Sequence, residues 1–217
     1  RDIRNGMAGG LGPWGKLRAG PIDYALHPRW VMDVGLRGRP HGLGTVAKYV
    51  PGSGSGNIAN FMLWMAGQFD PSVTWKDIEW LRGIWKGNLV LKGVLDVDDA
   101  RRAVAIGADG MVVSNHGGRQ LDGVASSAAM LPHIADAVGD STTLLVDGGI
   151  RTGQDLVRAL ALGARAALIG RPWALALAAG GEAALTRYLT LMKQDMRTAL
   201  GLSGAINARD VGRTVLL

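Results

Sequence analysis

Thr143-Leu-Leu-Val-Asp-Gly-Gly-Ile-Arg151 joins an apolar run of strand length to an aspartate, two glycines and an arginine. Five residues are too few for a helix and suit a strand buried on both faces, with the glycines ending it. The same unit recurs on either side. Residues 89–94 and 110–114 are similar short runs, and 166–170 is a fourth. Between them lie a helix closing at Gly107, a helix near 128–138, and a helix opened by a Thr152/Asp155 capping box and ended by Gly163. Upstream, Thr74 and Asp77 box another helix, with Ile78, Leu81 and Trp85 on one face up to Gly87. Downstream, Leu185, Leu189, Met192 and Met196 mark a 3.6-residue stripe on a long helix that stops at Gly201.

Strands alternating with helices imply parallel βαβ units, in a doubly wound sheet or in part of a (β/α)₈ barrel. The polar residues favour the barrel. Lys92, Ser114, Asn115, His116, Asp147, Gly170 and Arg171 all fall at or just past the C-terminal ends of the four strands, where a barrel builds its active site. Four strands are half of such a barrel, so the expected fold is α/β, the C-terminal half of a (β/α)₈ TIM barrel, preceded by a long irregular loop. Residues 7–56 supply that loop, being punctuated by Gly-Gly, Gly-Pro and a Pro-Gly-Ser-Gly-Ser-Gly run, with room for one short helix. The expected division is 1–73 for the loop or membrane-contact segment, 74–201 for the half barrel and 202–217 for a tail.

Composition narrows the function. With 217 residues, 47% apolar and 19% charged, the chain is globular in type. It has no cysteine, which excludes disulfides, thiolate zinc sites and a cysteine nucleophile, and no metal site is expected. Its 33 glycines are about twice the usual ~7% share. The net charge of +6 is concentrated in the first 60 residues, and six of the seven tryptophans precede residue 86. Such a basic, Trp-rich stretch suits an anionic membrane surface, or more plainly a loop packed on its own domain. No apolar run reaches membrane-spanning length and no signal peptide is apparent. Nothing resembles a nucleic-acid-binding motif.

Two motifs carry the chemistry. Asp147-Gly148-Gly149-Ile150-Arg151 after one strand and Gly170-Arg171 after the next match the place where barrels bind phosphate with loops 7 and 8. Glycine lets backbone N–H groups approach the anion, and the arginine forks neutralise it. Asp147 suits a sugar or ribityl hydroxyl. In Ser114-Asn-His-Gly-Gly-Arg-Gln-Leu-Asp122, His116 has the chemistry of a proton acceptor, the glycines admit a flat ligand, and Arg119 can clamp a carboxylate. Lys92 on the adjacent strand places a positive charge beside a developing anion.

These motifs, with the opening Arg1-Asp-Ile-Arg-Asn-Gly6, resemble the FMN-dependent 2-hydroxy acid oxidase and dehydrogenase family over nearly the whole chain. Asp33-Val-Gly-Leu-Arg-Gly-Arg-Pro-His41, Phe69-Asp-Pro-Ser72 and Trp75-Lys-Asp77 are most similar to its membrane-associated L-lactate dehydrogenases, and mandelate dehydrogenases come next. The resemblance implies strands 5 to 8 of the barrel, with FMN as cofactor and L-lactate or another small 2-hydroxy acid as substrate. It implies His116 as the base, Arg119 and His116 as substrate contacts, and Lys92 and Ser114 on the flavin. Asp147, Gly148, Gly149, Arg151, Gly170 and Arg171 would hold the ribityl chain and phosphate. It also implies a homotetramer, a quinone or other electron acceptor, and a peripheral place on the cytoplasmic face of the cell membrane. Strands 1 to 4, a second carboxylate-binding arginine, substrate-facing tyrosines and an aspartate orienting the histidine have no match, so the chain reads as the C-terminal half of an enzyme, truncated at its N-terminus. Two alternatives stand beside this reading: a mandelate dehydrogenase or glycolate-type oxidase of the same family, and a non-catalytic basic membrane-surface module. An inosine-phosphate dehydrogenase barrel shares the DGGIR-like loop, but that family uses the cysteine this chain lacks.

Overall fold

Four strands pair in chain order, all parallel, in the computed structural model, which describes residues 21–38, 46–50 and 58–216. They are β1 (Val90–Val94), β2 (Gly110–Val113), β3 (Thr143–Asp147) and β4 (Ala166–Leu168). The helices of the same unit are α1 (Trp75–Ile84), α2 (Val97–Ile106), α3 (Ser127–Val138), α4 (Gly153–Ala161) and α5 (Arg171–Leu202). Each parallel step needs a crossover, and α2, α3 and α4 supply them.

Alternation along the strands separates core from site. Met111, Val113, Leu144 and Val146 form one face and pack with Ala100, Ala103, Leu131, Ile134 and Ala159 of the helices in a single buried cluster. Burying side chains of this size contributes about 1.5–3 kcal/mol each. Lys92 and Asp147 stand at the alternate positions. At Gly93 (φ 99°) the β1–β2 register slips by one residue, a bulge directly after Lys92 that only glycine adopts without strain.

Both expected capping boxes form. Thr74 N donates to Asp77 Oδ2 at 2.7 Å, and these contacts with Thr74 hold the Asp77 carboxyl below its ordinary range. Thr152 N donates to Asp155 Oδ2 while Asp155 N donates to Thr152 Oγ1, both at 3.1 Å. Gly107 and Gly163 end α2 and α4 with positive φ. The next helix departs from expectation. It passes through Gly201 and ends at Leu202, where Gly204 (φ 73°) takes the left-handed position and Ala205 N reaches back to Leu200 O. Gly180 and Gly181 break it internally. Leu189, placed on the buried stripe by periodicity, is 45% exposed, and Tyr188 is half-buried instead. Trp85 lies past the end of α1 in extended backbone and is exposed, so Trp75, Ile78 and Leu81 form the inner face. The glycine at 153 is dictated by packing, because a Cβ there would stand 2.1 Å from Met196 N.

The described residues divide into two compact units between Val73 and Thr74. In the first, the stretch expected to be irregular is largely helical where it is described: Asp23–Leu26, Pro28–Trp30, a π-helical turn Val31–Leu36 and a 3₁₀ turn Ala47–Tyr49, followed by the helix Ile58–Ala66. Pro28 preorganises a first turn, and Asp33 pairs with Arg29 and Arg37 at i±4 spacing, a local signal outweighed in the sequence by the surrounding glycines. The Arg1–Gly6 motif lies outside the described residues, as does part of the 33–41 block. Among the described residues no helix is long and apolar enough to cross a membrane.

Candidate active site

The C-terminal ends of the four strands open onto a cavity of about 790 Å³, within the size range of small-molecule sites. Of the residues singled out by sequence, Lys92, His116, Arg119, Asp147, Gly148, Gly149, Arg151, Gly170 and Arg171 line it. Ser114 stands just behind, 2% exposed.

Lys92 Nζ donates to Ser114 Oγ at 3.0 Å and forms an ion pair with Asp147 Oδ2, across the intervening strand. Ser114 Oγ also accepts from His116 N at 3.0 Å, so one buried hydroxyl links the lysine to the histidine backbone. The other oxygen of Asp147, Oδ1, is buried and has no hydrogen-bond partner among the described residues. An unpaired buried carboxylate oxygen costs free energy until a donor arrives, and this one belongs to a cavity-lining residue.

His116 follows β2 in a tight 3₁₀ turn, His116–Gly118, and is the one non-glycine with positive φ (56°) among the described residues. Strain of this kind collects at functional sites. Gly117 and Gly118 continue the left-handed path (φ 67° and 68°), and Arg171 Nη2 donates to Gly117 O at 3.4 Å. Asn115 N donates to the buried Ser127 Oγ at 3.2 Å, fixing the base of the turn.

After β3, Gly148 and Gly149 both have φ near +90°. A Cβ on Gly148 would meet Ser127 Oγ at 3.3 Å, whereas Gly149 and Gly170 face open space. Arg151 N donates to Asp155 Oδ2 at 3.1 Å. The turn is thereby shaped by the capping box of α4, and its arginine and that of Arg171 flank one glycine-lined cavity, an arrangement suited to a phosphate. Sequence reasoning missed Tyr188, which lines the cavity and donates to Arg151 O at 2.9 Å. It also missed the Lys92–Asp147 pair. A second cavity, of about 690 Å³, lies at the opposite ends of β3 and β4 and contains none of these residues.

The family described as FMN-dependent dehydrogenase matches residues 1–217. An L-lactate dehydrogenase of Azorhizobium caulinodans is 52% identical over 100% of this chain and 56% of its own length. One from Caulobacter vibrioides is 54% identical over 100% of this chain and 55% of its own. Among solved structures, a monotopic membrane protein, (S)-mandelate dehydrogenase, superposes with a TM-score of 0.79 at 39% identity, over 89% of this chain and 50% of that one. A mandelate oxidase variant with a monooxide FMN adduct gives 0.62 at 49% identity, over 65% and 46%. The chain spans about half the length of the curated relatives it matches.

Proposed function

This chain belongs to the FMN-dependent dehydrogenase family, and from that we propose that the protein carrying it oxidises an L-2-hydroxy acid, L-lactate to pyruvate in the first instance, with FMN as cofactor. The observation that carries the reading is the buried, unpartnered Asp147 Oδ1 on the same cavity as Lys92 and the two arginine-bearing glycine turns. These groups fit FMN. Asp147 Oδ1 would accept from a ribityl hydroxyl, and the 148–151 turn, Gly170 and Arg171 would hold the phosphate, with Ser114 and Lys92 at the ring end. When bound, FMN supplies a two-electron acceptor.

The chain's own residues do the rest. Arg119 holds the substrate carboxylate through its forked donors. The 2-hydroxy acid loses two electrons and two protons on becoming the keto acid, and His116 takes one of those protons, from the hydroxyl or the α-carbon. Lys92, held by Ser114 and Asp147, keeps a positive charge where negative charge develops. In this reading β1 to β4 are strands 5 to 8 of the complete barrel.

The likeness to mandelate enzymes supports a second substrate, so the test offers several. The flavin spectrum of the protein is followed anaerobically with L-lactate, D-lactate, (S)-mandelate and glycolate. Bleaching fastest with L-lactate is the expected result. Bleaching by none of them would sink the enzymatic reading and leave the non-catalytic membrane module.

Peripheral attachment to the cytoplasmic face of the membrane is part of the same proposal, as are a homotetramer and a quinone-type acceptor. Support comes from the basic, Trp-rich first unit, where Leu26, Trp30 and Leu63 are exposed, and from the monotopic neighbour. Exchanging residues 7–60 for a soluble oxidase's loop should lower partition onto anionic vesicles, and unchanged partition would refute the membrane contact.

A further inference from the structure

Tyr188 sits on α5 beyond the Gly180–Gly181 break, 17 positions after Arg171 opens the same helix. Its ring is half-buried, and its hydroxyl donates to Arg151 O at 2.9 Å. Asp155 Oδ2 meanwhile accepts from Arg151 N and from Thr152 N, each at 3.1 Å. Arg151 is therefore held at both its amide and its carbonyl, and the residue lines the cavity. Of these two clamps, Asp155 serves the helix cap in any case. The tyrosine hydroxyl has no such structural duty.

We propose that Tyr188 is a positioning residue for phosphate recognition: by fixing the Arg151 carbonyl it holds the 148–151 turn and the root of the Arg151 guanidinium toward a phosphate monoester. The inference rests on the FMN reading above and deepens it. A tyrosine hydroxyl is a proton donor at neutral pH in any case, and burial, with the nearby Asp155 carboxylate behind it, pushes the Tyr188 hydroxyl further above its ordinary pKa. A loop ordered before the ligand arrives binds it without the cost of ordering at that moment.

The test uses the protein carrying this chain, stripped of flavin, with FMN and riboflavin as probes and fluorescence quenching as the readout. Tyr188→Phe removes only the hydroxyl. It should raise the Kd for FMN about 5- to 10-fold, the scale of one hydrogen bond, and leave the Kd for riboflavin unchanged. Tyr188→Leu should give the same split. An unchanged FMN Kd would overturn the proposal, and so would equal weakening of both probes, which would mark Tyr188 as packing alone. Amide exchange at residues 148–152 of the flavin-free protein provides an arm independent of flavin: Tyr188→Phe should speed it, and unaltered exchange would contradict the positioning role. If the unmodified protein binds FMN no more tightly than riboflavin, the FMN reading itself fails and takes the phosphate role with it, whereas a failure confined to the variants falls on Tyr188 only.

Discussion

The two ends of the same parallel sheet are built on opposite terms. At the N-terminal ends of the strands, Arg82 donates to Asp109 Oδ2 at 3.0 Å and to the carbonyls of Trp85, Gly87 and Gly107, and Asp109 accepts from Leu89 N at 2.8 Å. Nearby, Thr142 Oγ1 donates to Ala108 O at 3.3 Å. At the C-terminal ends, Asp147 Oδ1 is left unpartnered in the interior, His116 takes a left-handed conformation, and the Gly117–Gly118 and Gly148–Gly149 pairs keep the backbone open. Satisfied polar groups hold a fold, whereas orphaned ones and strained backbone are tolerated where a ligand will complete them. On the proposed reading, the difference sets an end built for stability apart from an end built for chemistry, the division that complete barrels make.

Variants should separate the two ends. The largest effect short of the base itself is expected from Arg171→Ala, which removes a guanidinium from the phosphate end. FMN affinity should fall by at least ~10-fold, riboflavin affinity should hold, and the melting temperature should barely move. A fall in riboflavin affinity of the same size would blur the comparison. Next comes Arg82→Ala at the opposite end, which should lower Tm by several degrees while FMN binding to the folded protein stays the same. A loss of FMN affinity there would break the division of labour.

Acid should act through the lower end in a smaller and graded way. Hydrogen bonding from the Leu89 amide first, and Arg82 second, hold the Asp109 carboxyl below its ordinary 3.8. A carboxylate with a lowered folded pKa stabilises the protein above its unfolded pKa, and that contribution is lost as the pH falls through the folded value. Thermal unfolding followed downward from pH 5 should show a loss of Tm below pH ~4 that is shallower in Asp109→Asn. Parallel curves for the two proteins would mean that Asp109 contributes nothing to acid sensitivity.

Much of this was legible in the sequence because it is local. The capping boxes at 74/77 and 152/155 need three-residue spacing only, and Gly107 and Gly163 close helices whose ends the apolar pattern already marks. The helix expected to stop at Gly201 runs on because Gly204 follows the same stripe, and the left-handed position is set by where Ala205 N reaches back, a matter of geometry rather than composition. Leu189 displaced Tyr188 in the sequence reading because a 3.6-residue period admits both i+3 and i+4 from Leu185, and hydrophobicity favours leucine. The helix turns Tyr188 inward and leaves Leu189 exposed, a choice of phase between neighbouring positions that the period does not make. The cavity-lining residues could be named one at a time from strand ends and glycines. Their pairing could not: Lys92 and Asp147 lie 55 residues apart on strands separated by β2, so only the register of three strands brings them together. The helical turns of 21–36 were hidden because their stabilising pairs lie between glycine- and proline-rich flanks that read as loop.

The central claim is that the C-terminal rim is the reaction site with His116 as its base. Its most direct test is anaerobic bleaching of the bound flavin by L-lactate in the His116→Asn protein. The account predicts an unaltered oxidised flavin spectrum with reduction slowed by at least the ~10²-fold expected for loss of a general base. Reduction at the unmodified rate, with flavin equally bound, would contradict it.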